Sequence, residues 1–299
     1  MVSNETTGPE VVPLGLPVVG GSNERPVGHG TAGLEDVEYD HGGRLAAVRA
    51  GELGSVHSWE LVTAVDGPGT RLTVFLAGCL LRCLYCHNPD TLEIRRGQSV
   101  TAKELLRRVK RYRGVMKATG GGLTLSGGEP LLQAPYVRTL LRGAKAMGVH
   151  TAIDTSGFLG ASCTDEMLDD IDLVLLDVKS GLPETYKRVT GQELAPTLAF
   201  GRRLAARGTE EVWIRFVLVP GLTDAVENVE AVAEYVAELQ RRGPGGVIER
   251  VEILPFHQLG RDKWHQLGIT YPLEDTEPPS PELTERVREQ FRARGLTVY

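Results

Sequence analysis

Residues 71–87 read RLTVFLAGCLLRCLYCH. Seven positions rich in β-branched, aromatic and aliphatic residues predict a strand over 71–77. The three cysteines then fall in a loop just beyond the carboxyl end of that strand. Working outward, the same alternation recurs. Residues 101–116 predict a helix, with Thr101 and Glu104 as a capping box and Leu105, Val109, Tyr112 and Met116 at helical spacing. Strands are predicted at 122–125, 150–154, 173–178 (LVLLDV), 212–219 (VWIRFVLV), 251–254 and 296–299. Helices are predicted at 134–147, 165–171, 198–207, 224–240 and 281–293. The run LVLLDV is continuously apolar, as a strand covered on both faces must be. Strands alternating with helices predict an α/β protein with a parallel sheet, curved or open.

In such architectures ligands gather at the carboxyl ends of the strands. The polar candidates follow that rule. Cys79 comes after the first strand, Ser126, Gly127, Gly128 and Glu129 after the second, and Asp154 and Thr155 close the third. Asp177 and Lys179 end the fourth, Arg215 lies within the fifth and His257 follows the sixth. Arg215 in an apolar strand calls for a buried acid, although the sequence does not say which.

The first 53 residues differ. Pro9, Pro13, Pro17 and Pro26 punctuate them, glycines are frequent and aromatics nearly absent, so a disordered extension is expected at 1–53, ahead of one domain at 54–299. A weak helical turn is predicted at 44–50. The chain has 299 residues, 41% hydrophobic and 24% charged, with net charge -6, which gives no electrostatic reason to bind nucleic acid or an anionic membrane. No stretch is long and apolar enough for a membrane span. The start lacks a basic segment followed by an apolar run, so a cytoplasmic protein with reduced thiols is expected.

Four cysteines in a reducing compartment indicate metal binding or catalysis rather than disulfides. Cys163 stands apart and reads as an ordinary thiol. The spacing Cys79-x3-Cys83-x2-Cys86 offers soft thiolates to an iron–sulfur cluster or to zinc. A cluster with four iron corners usually takes four cysteines, so three would leave one iron open for a substrate. Two alternatives stand beside this. Cys83–His87 matches the C-x-x-C-H haem-attachment pattern, and His87 could complete a structural zinc site.

Other stretches extend the pattern: TAVDGPGTRLTVFLAGCLLRCLYCHNPDT (63–91), GGGLTLSGGEPLL (120–132), IDTSGF (153–158), DLVLLDVK (172–179), VWIRFVLVPG (212–221) and ILPFHQLG (253–260). In that order they resemble the pyruvate formate-lyase activating enzymes, a family of glycyl radical enzyme activases within the radical S-adenosylmethionine (SAM) superfamily. The resemblance covers roughly 54–299. It implies a partial (β/α)6 TIM-type barrel. It also implies reductive cleavage of SAM at a [4Fe–4S] cluster, giving methionine and a 5'-deoxyadenosyl radical. That radical would take a hydrogen atom from a glycine of pyruvate formate-lyase, an activity of anaerobic glucose metabolism. The cofactor carries the difficult chemistry, and no catalytic residue beyond the cluster and SAM is implied.

Residue by residue, the resemblance assigns Cys79, Cys83 and Cys86 to the cluster. It places Tyr85, Cys86 and His87 along the adenine of SAM. It turns the backbone amides around Gly127 and Gly128, with Glu129, toward the amino group and carboxylate of its methionine end. Asp177, Val178 and Lys179 would border SAM, and His257 would reach the ribose or adenine. Asp154, Thr155 and Asp177, with the carbonyl of Leu175, resemble a monovalent cation site. A flavodoxin or ferredoxin donor and a monomer are further implications. Ser156 stands where the pattern leads us to expect Asn, and the 53-residue extension is outside it. Taken alone, Asp66-Gly67-Pro68-Gly69 reads as a turn; the resemblance moves it toward the active site.

Overall fold

The computed structural model describes residues 31–299 apart from 32, 36, 38, 64–65 and 243–246. Six strands run parallel in the order β2 (Thr70–Leu76), β4 (Gly122–Gly127), β5 (His150–Thr155), β6 (Leu173–Asp177), β7 (Glu211–Leu218) and β8 (Ile248–Pro255). Helices return the chain between them: α2 (Ala102–Ala118), α3 (Ala134–Ala146), α4 (Asp165–Leu168), α5 (Pro183–Thr190), α6 (Ala195–Arg207) and α7 (Val226–Arg242). The arrangement is consistent with the expected partial barrel. The all-parallel expectation needs correction at one edge. There β1 (Leu53–Thr63) pairs antiparallel with both β2 and β3 (Gln98–Thr101). The predicted closing strand, 296–299, joins β8 through a parallel bridge, Val251 to Val298.

Side-chain alternation along the strands separates two environments. Leu72, Val74, Leu123, Leu125, Ile153, Val174, Leu176, Ile214, Phe216, Val251 and Ile253 enter the large core beneath the helices. Their partners there include Val109 of α2, Leu140 of α3, Leu204 of α6 and Val236 of α7. The intervening residues, such as Thr124, Ser126, Asp154, Leu175, Asp177, Trp213 and Arg215, face the other way and fill the barrel interior. A small apolar layer of Ala152, Leu173, Leu175 and Trp213 forms its floor. Above the floor the inward residues are polar, and they form the site.

Helix α2 begins at the predicted N-cap, where Thr101 Oγ1 accepts from the Glu104 amide at 3.2 Å, but the Glu104 carboxylate pairs with Arg107 rather than closing the predicted capping box. Residues 41–50, inside the segment expected to be disordered, form α1 (His41–Ala50), which contains the helical turn predicted at 44–50 and begins three residues before it. Asp40 caps it by accepting from the Gly43 amide, and Gly51 ends it at φ 73°. Ala47 and Leu34 are buried, which gives this stretch the apolar anchorage that composition alone did not reveal. The rest of the expected extension, 1–30, lies outside the described residues.

Candidate active site

The cysteine loop folds over the carboxyl rim of the barrel. Gly78, at φ 101°, turns the chain out of β2, and its amide donates to Thr91 O at 2.6 Å. Backbone hydrogen bonds from Arg82 to Thr190 O and from Leu84 to Val189 O stitch the loop to the end of α5. Leu81, Tyr85, Val189, Val219, Phe256, Trp264 and Tyr271 surround it as a second apolar cluster, against which Cys79 and Cys86 pack. From α8 (Arg261–Gln266), the Trp264 indole donates to Cys86 O at 2.9 Å, and Lys263 donates to Asn88 Oδ1 at 2.9 Å. A buried His57 meets Asp90 at 3.0 Å and ties the loop to β1.

Burial raises all three thiols, Cys79 and Cys83 to about 12 and Cys86 to about 11. Each also lies in the field of another member of the trio, and Lys179 opposes the rise in each case. Such thiols stay protonated until a cation takes the proton's place, which is how a thiolate site couples to its metal. All four cysteines are free, and Cys163 lies apart, in the main core. Among the described residues no group of three or more His, Cys, Asp or Glu side chains converges as a single-ion site would. Three soft thiols set along one loop, in an apolar shell beside a lysine, fit a multi-iron cluster.

Around the cysteines the rim supplies paired polar groups. Lys179 Nζ meets Asp177 Oδ2 at 2.8 Å and sits 5.8 Å from the centre of the Tyr85 ring. The pair spans two positions at the end of β6, as strand periodicity requires. Val178 is fully buried, and its amide donates to Arg215 O. The Tyr85 hydroxyl is buried without a hydrogen-bond partner in the protein. His87 stacks on His257, which brings two motifs far apart in sequence to one place.

Gly127 and Gly128 allow the end of β4 to press on the turn after β2. A Cβ on Gly128 would lie 2.3 Å from Gly78 O, and one on Gly127 2.2 Å from Leu76 N. The amides meet needs of the fold, however. Gly128 donates to Leu76 O at 2.9 Å and Glu129 to Gly78 O at 2.8 Å. Those two amides are therefore not turned toward a ligand as the resemblance implied. A bound ammonium would need acceptors here, such as carbonyl oxygens. The Glu129 carboxylate is likewise engaged. It accepts from the Leu131 amide at 3.1 Å, Thr155 Oγ1 at 2.7 Å, the Ser156 amide at 3.0 Å and Ser156 Oγ at 2.5 Å. Burial raises its pKa, and these donors oppose the rise. Ser156 thus takes over a loop contact with its hydroxyl.

The four residues of the expected cation site lie together on β5 and β6, where Asp154 pairs with Leu175 and Thr155 with Leu176 in register. Their charges have partners within the chain. Asp154 accepts from Ser126 Oγ at 2.8 Å and meets Arg215 at 3.2 Å; Asp177 meets Lys179; Thr155 donates to Glu129. Burial nevertheless pushes Asp154 up to about 6, against the pull of Arg215. Arg215 thereby gains the acid partner that its position in an apolar strand demanded, with Glu252 a second at 3.7 Å. Arg71 could not be singled out from the sequence, where it is one charge at the start of an apolar strand. Fully buried at the opposite end of the interior, it donates to Thr124 Oγ1 at 2.5 Å and Leu123 O at 2.8 Å. The Asp66–Gly69 turn lies beside it, with Asp66 O accepting from Thr124 Oγ1 at 2.8 Å.

A parallel partial barrel with a three-cysteine loop folded over its carboxyl rim defines a radical SAM protein, and the model of the Radical SAM superfamily matches residues 73–242. The chain is 42% identical over 238 residues to the pyruvate formate-lyase 1-activating enzyme of Escherichia coli (strain K12), covering 79% of this chain and 94% of that one. It is 43% identical over 250 residues to the pyruvate formate-lyase-activating enzyme of Staphylococcus epidermidis, covering 80% and 94%. The crystal structure of Streptococcus suis SuiB bound to precursor peptide SuiA is similar with a TM-score of 0.56 at 14% identity, covering 76% of this chain and 47% of that one. That likeness is of fold alone. The chain belongs to the family of pyruvate formate-lyase-activating enzymes.

Proposed function

We propose that this protein activates a pyruvate formate-lyase by installing a glycyl radical on it. The observation that carries the reading is the placement of Cys79, Cys83 and Cys86 on one apolar-shelled loop, directly above an interior lined by Asp154, Asp177, Lys179 and Arg215. Cys79, Cys83 and Cys86 would hold a [4Fe–4S] cluster, which, when bound, would supply the electron for reductive cleavage of SAM to methionine and a 5'-deoxyadenosyl radical.

The chain's own residues bind, orient and shield. The three cysteines hold the cluster as thiolates. The apolar shell of Leu81, Val219, Phe256 and Trp264 keeps water from a species that would otherwise attack its surroundings. Tyr85, Cys86, His87 and His257 form the wall for adenine and ribose. Lys179 and Arg215 offer positive charge to a carboxylate, while Asp177, Val178 and the 127–129 turn close the methionine end. A monovalent cation held by Asp154, Thr155, Leu175 and Asp177 would compete with Arg215 for Asp154. Among the described residues no helix is long and apolar enough to cross a membrane. A cytoplasmic monomer reduced by a flavodoxin or ferredoxin accords with this reading.

The test is anaerobic reconstitution with iron and sulfide, then incubation with SAM, a reductant and pyruvate formate-lyase. A cluster signal that SAM perturbs, 5'-deoxyadenosine, and a glycyl radical by electron paramagnetic resonance are expected. A cluster spectrum indifferent to SAM would refute the proposal.

A further inference from the structure

We propose that Asp90 is a positioning residue for the metal centre, a fixed negative charge clamped between His57 and Lys263 that keeps the reduction potential of the cluster low. The inference rests on the reading that Cys79, Cys83 and Cys86 carry a [4Fe–4S] cluster.

Asp90 lies on a single 3-10 turn, Pro89–Thr91, just beyond the last cysteine. That turn is built into the cysteine loop. Asn88 O accepts from the Thr91 amide at 3.0 Å, Thr91 O from the Gly78 amide at 2.6 Å, and Leu92 O from the Cys79 amide at 3.1 Å. Two elements remote in sequence converge on the Asp90 carboxylate. Nε2 of His57, on β1, lies 3.0 Å from its Oδ2, and Nζ of Lys263, on α8, lies 3.4 Å from the same oxygen. Lys263 also donates to Asn88 Oδ1, and beside it Trp264 donates to Cys86 O. The His57 and Asp90 side chains are only 7% and 15% exposed, so water screens this charge poorly.

Burial alone would raise the Asp90 pKa, but His57 and Lys263 hold it below the ordinary value of 3.8. The carboxylate is therefore ionised at neutral pH. Both donors meet one oxygen, and an amide oxygen could accept from both. What only a carboxylate adds is charge. A carboxylate acts on each thiol: Glu129 on Cys79, Asp177 on Cys83 and Asp90 on Cys86. Glu129 and Asp177 also line the walls proposed for SAM. Asp90 belongs neither to those walls nor to the cation site, which leaves its field for the metal centre. Three thiolates already make that centre electron-rich, and a buried carboxylate repels an added electron further. Reduction becomes harder, and the reduced cluster gives its electron more readily to a sulfonium. Lys263, 39% exposed, offsets part of this field.

The experiment poises the reconstituted holoenzyme, without SAM, at the ambient potential where half of the wild-type clusters are reduced. The reduced fraction is read by electron paramagnetic resonance. In Asp90→Asn the ratio of reduced to oxidised cluster should rise about threefold, and in Lys263→Gln it should fall about threefold. Iron and sulfide content should match wild type in both. Opposite signs are the mark of charge, since a loosened loop would move both variants the same way. Shifts of one sign, or no shift in either variant, overturn the proposal. If Asp90→Asn assembles no cluster, Lys263→Gln alone decides, because that side chain is partly exposed and its loss leaves the carboxylate in place. No SAM is cleaved in the measurement. The expected shifts in a protein whose cluster is indifferent to SAM therefore count against the proposed function and not against Asp90.

Discussion

The imidazoles of His87 and His257 stack with ring centroids 4.2 Å apart and 29° between their planes. One ring follows the last cysteine of the loop; the other follows β8. Burial, then the neighbouring His257, pushes His87 down to about 4, although part of its side chain reaches solvent. At neutral pH His87 is therefore uncharged, and the stack does not oppose two imidazolium charges. Replacing His257 with Ala removes one ring from the wall proposed for adenine. An aromatic contact of this kind is worth about 0.5–1.5 kcal/mol, so the dissociation constant for SAM should rise roughly twofold to tenfold. Cluster content should be unchanged. Equilibrium binding to the reconstituted enzyme, with iron and sulfide analysis alongside, checks both.

Cys83→Ala removes the middle thiol of a set that has no spare member nearby, because Cys163 lies in the main core. Bound iron and sulfide should fall steeply, and neither 5'-deoxyadenosine nor a glycyl radical should form. Cys163→Ala should leave cluster loading and SAM cleavage intact. Normal loading in Cys83→Ala would remove that residue from the ligand set.

Glu129 is a buried clasp between the 127–133 turn and the loop at 155–156. In Glu129→Gln one oxygen remains an acceptor, but the new amide faces the Ser156 donors. Leaving buried donors unmatched costs about 1–3 kcal/mol. The variant should unfold at correspondingly lower denaturant and bind SAM less tightly. Denaturation monitored by circular dichroism, with wild-type midpoints as reference, decides it.

Asp172, just ahead of β6, accepts from the Thr151 amide at 2.9 Å and from Thr151 Oγ1 at 3.1 Å, and pairs with Lys145. Burial alone would raise its pKa, but the Lys145 and Thr151 hydrogen bonds win and hold it below the ordinary value of 3.8. A carboxyl depressed by folding stabilises the protein above its unfolded pKa, and that contribution fades as pH falls through the lower folded value. Asp172→Asn should therefore destabilise by about 1 kcal/mol at pH 7. Its gap from wild type should narrow below pH 4. A gap independent of pH in urea titrations would show that the charge is not what matters.

Much of the framework was legible because it is periodic. The six parallel strands announced themselves as apolar runs, and most helices by a single apolar face. What escaped was short or two-sided. In β1, the stretch LGSVHSWELVT buries Ser55, His57 and Ser58 as well as Leu53 and Val56, so neither face looked like a core face. Helix α5 offers Tyr186, Val189 and Thr190 as its buried residues, too few to stand out from a loop. Of α1 only the turn at 44–50 was legible; its start at His41, set by the Asp40 cap, lay in a stretch whose composition suggested disorder.

At the site, the sequence by itself determined which soft donors stand together. Three thiols at fixed spacing behind a strand are a local fact, and local spacing survives in any fold that keeps the strand. The tertiary structure decided the partners. Arg215 met Asp154 and Glu252, His87 met His257, and Glu129 met Thr155 and Ser156, because each pairing crosses strands or loops whose register no single segment encodes. It also decided that the Gly128 and Glu129 amides serve the backbone. A buried N–H takes whichever acceptor packing brings within reach, and packing is a property of the whole chain.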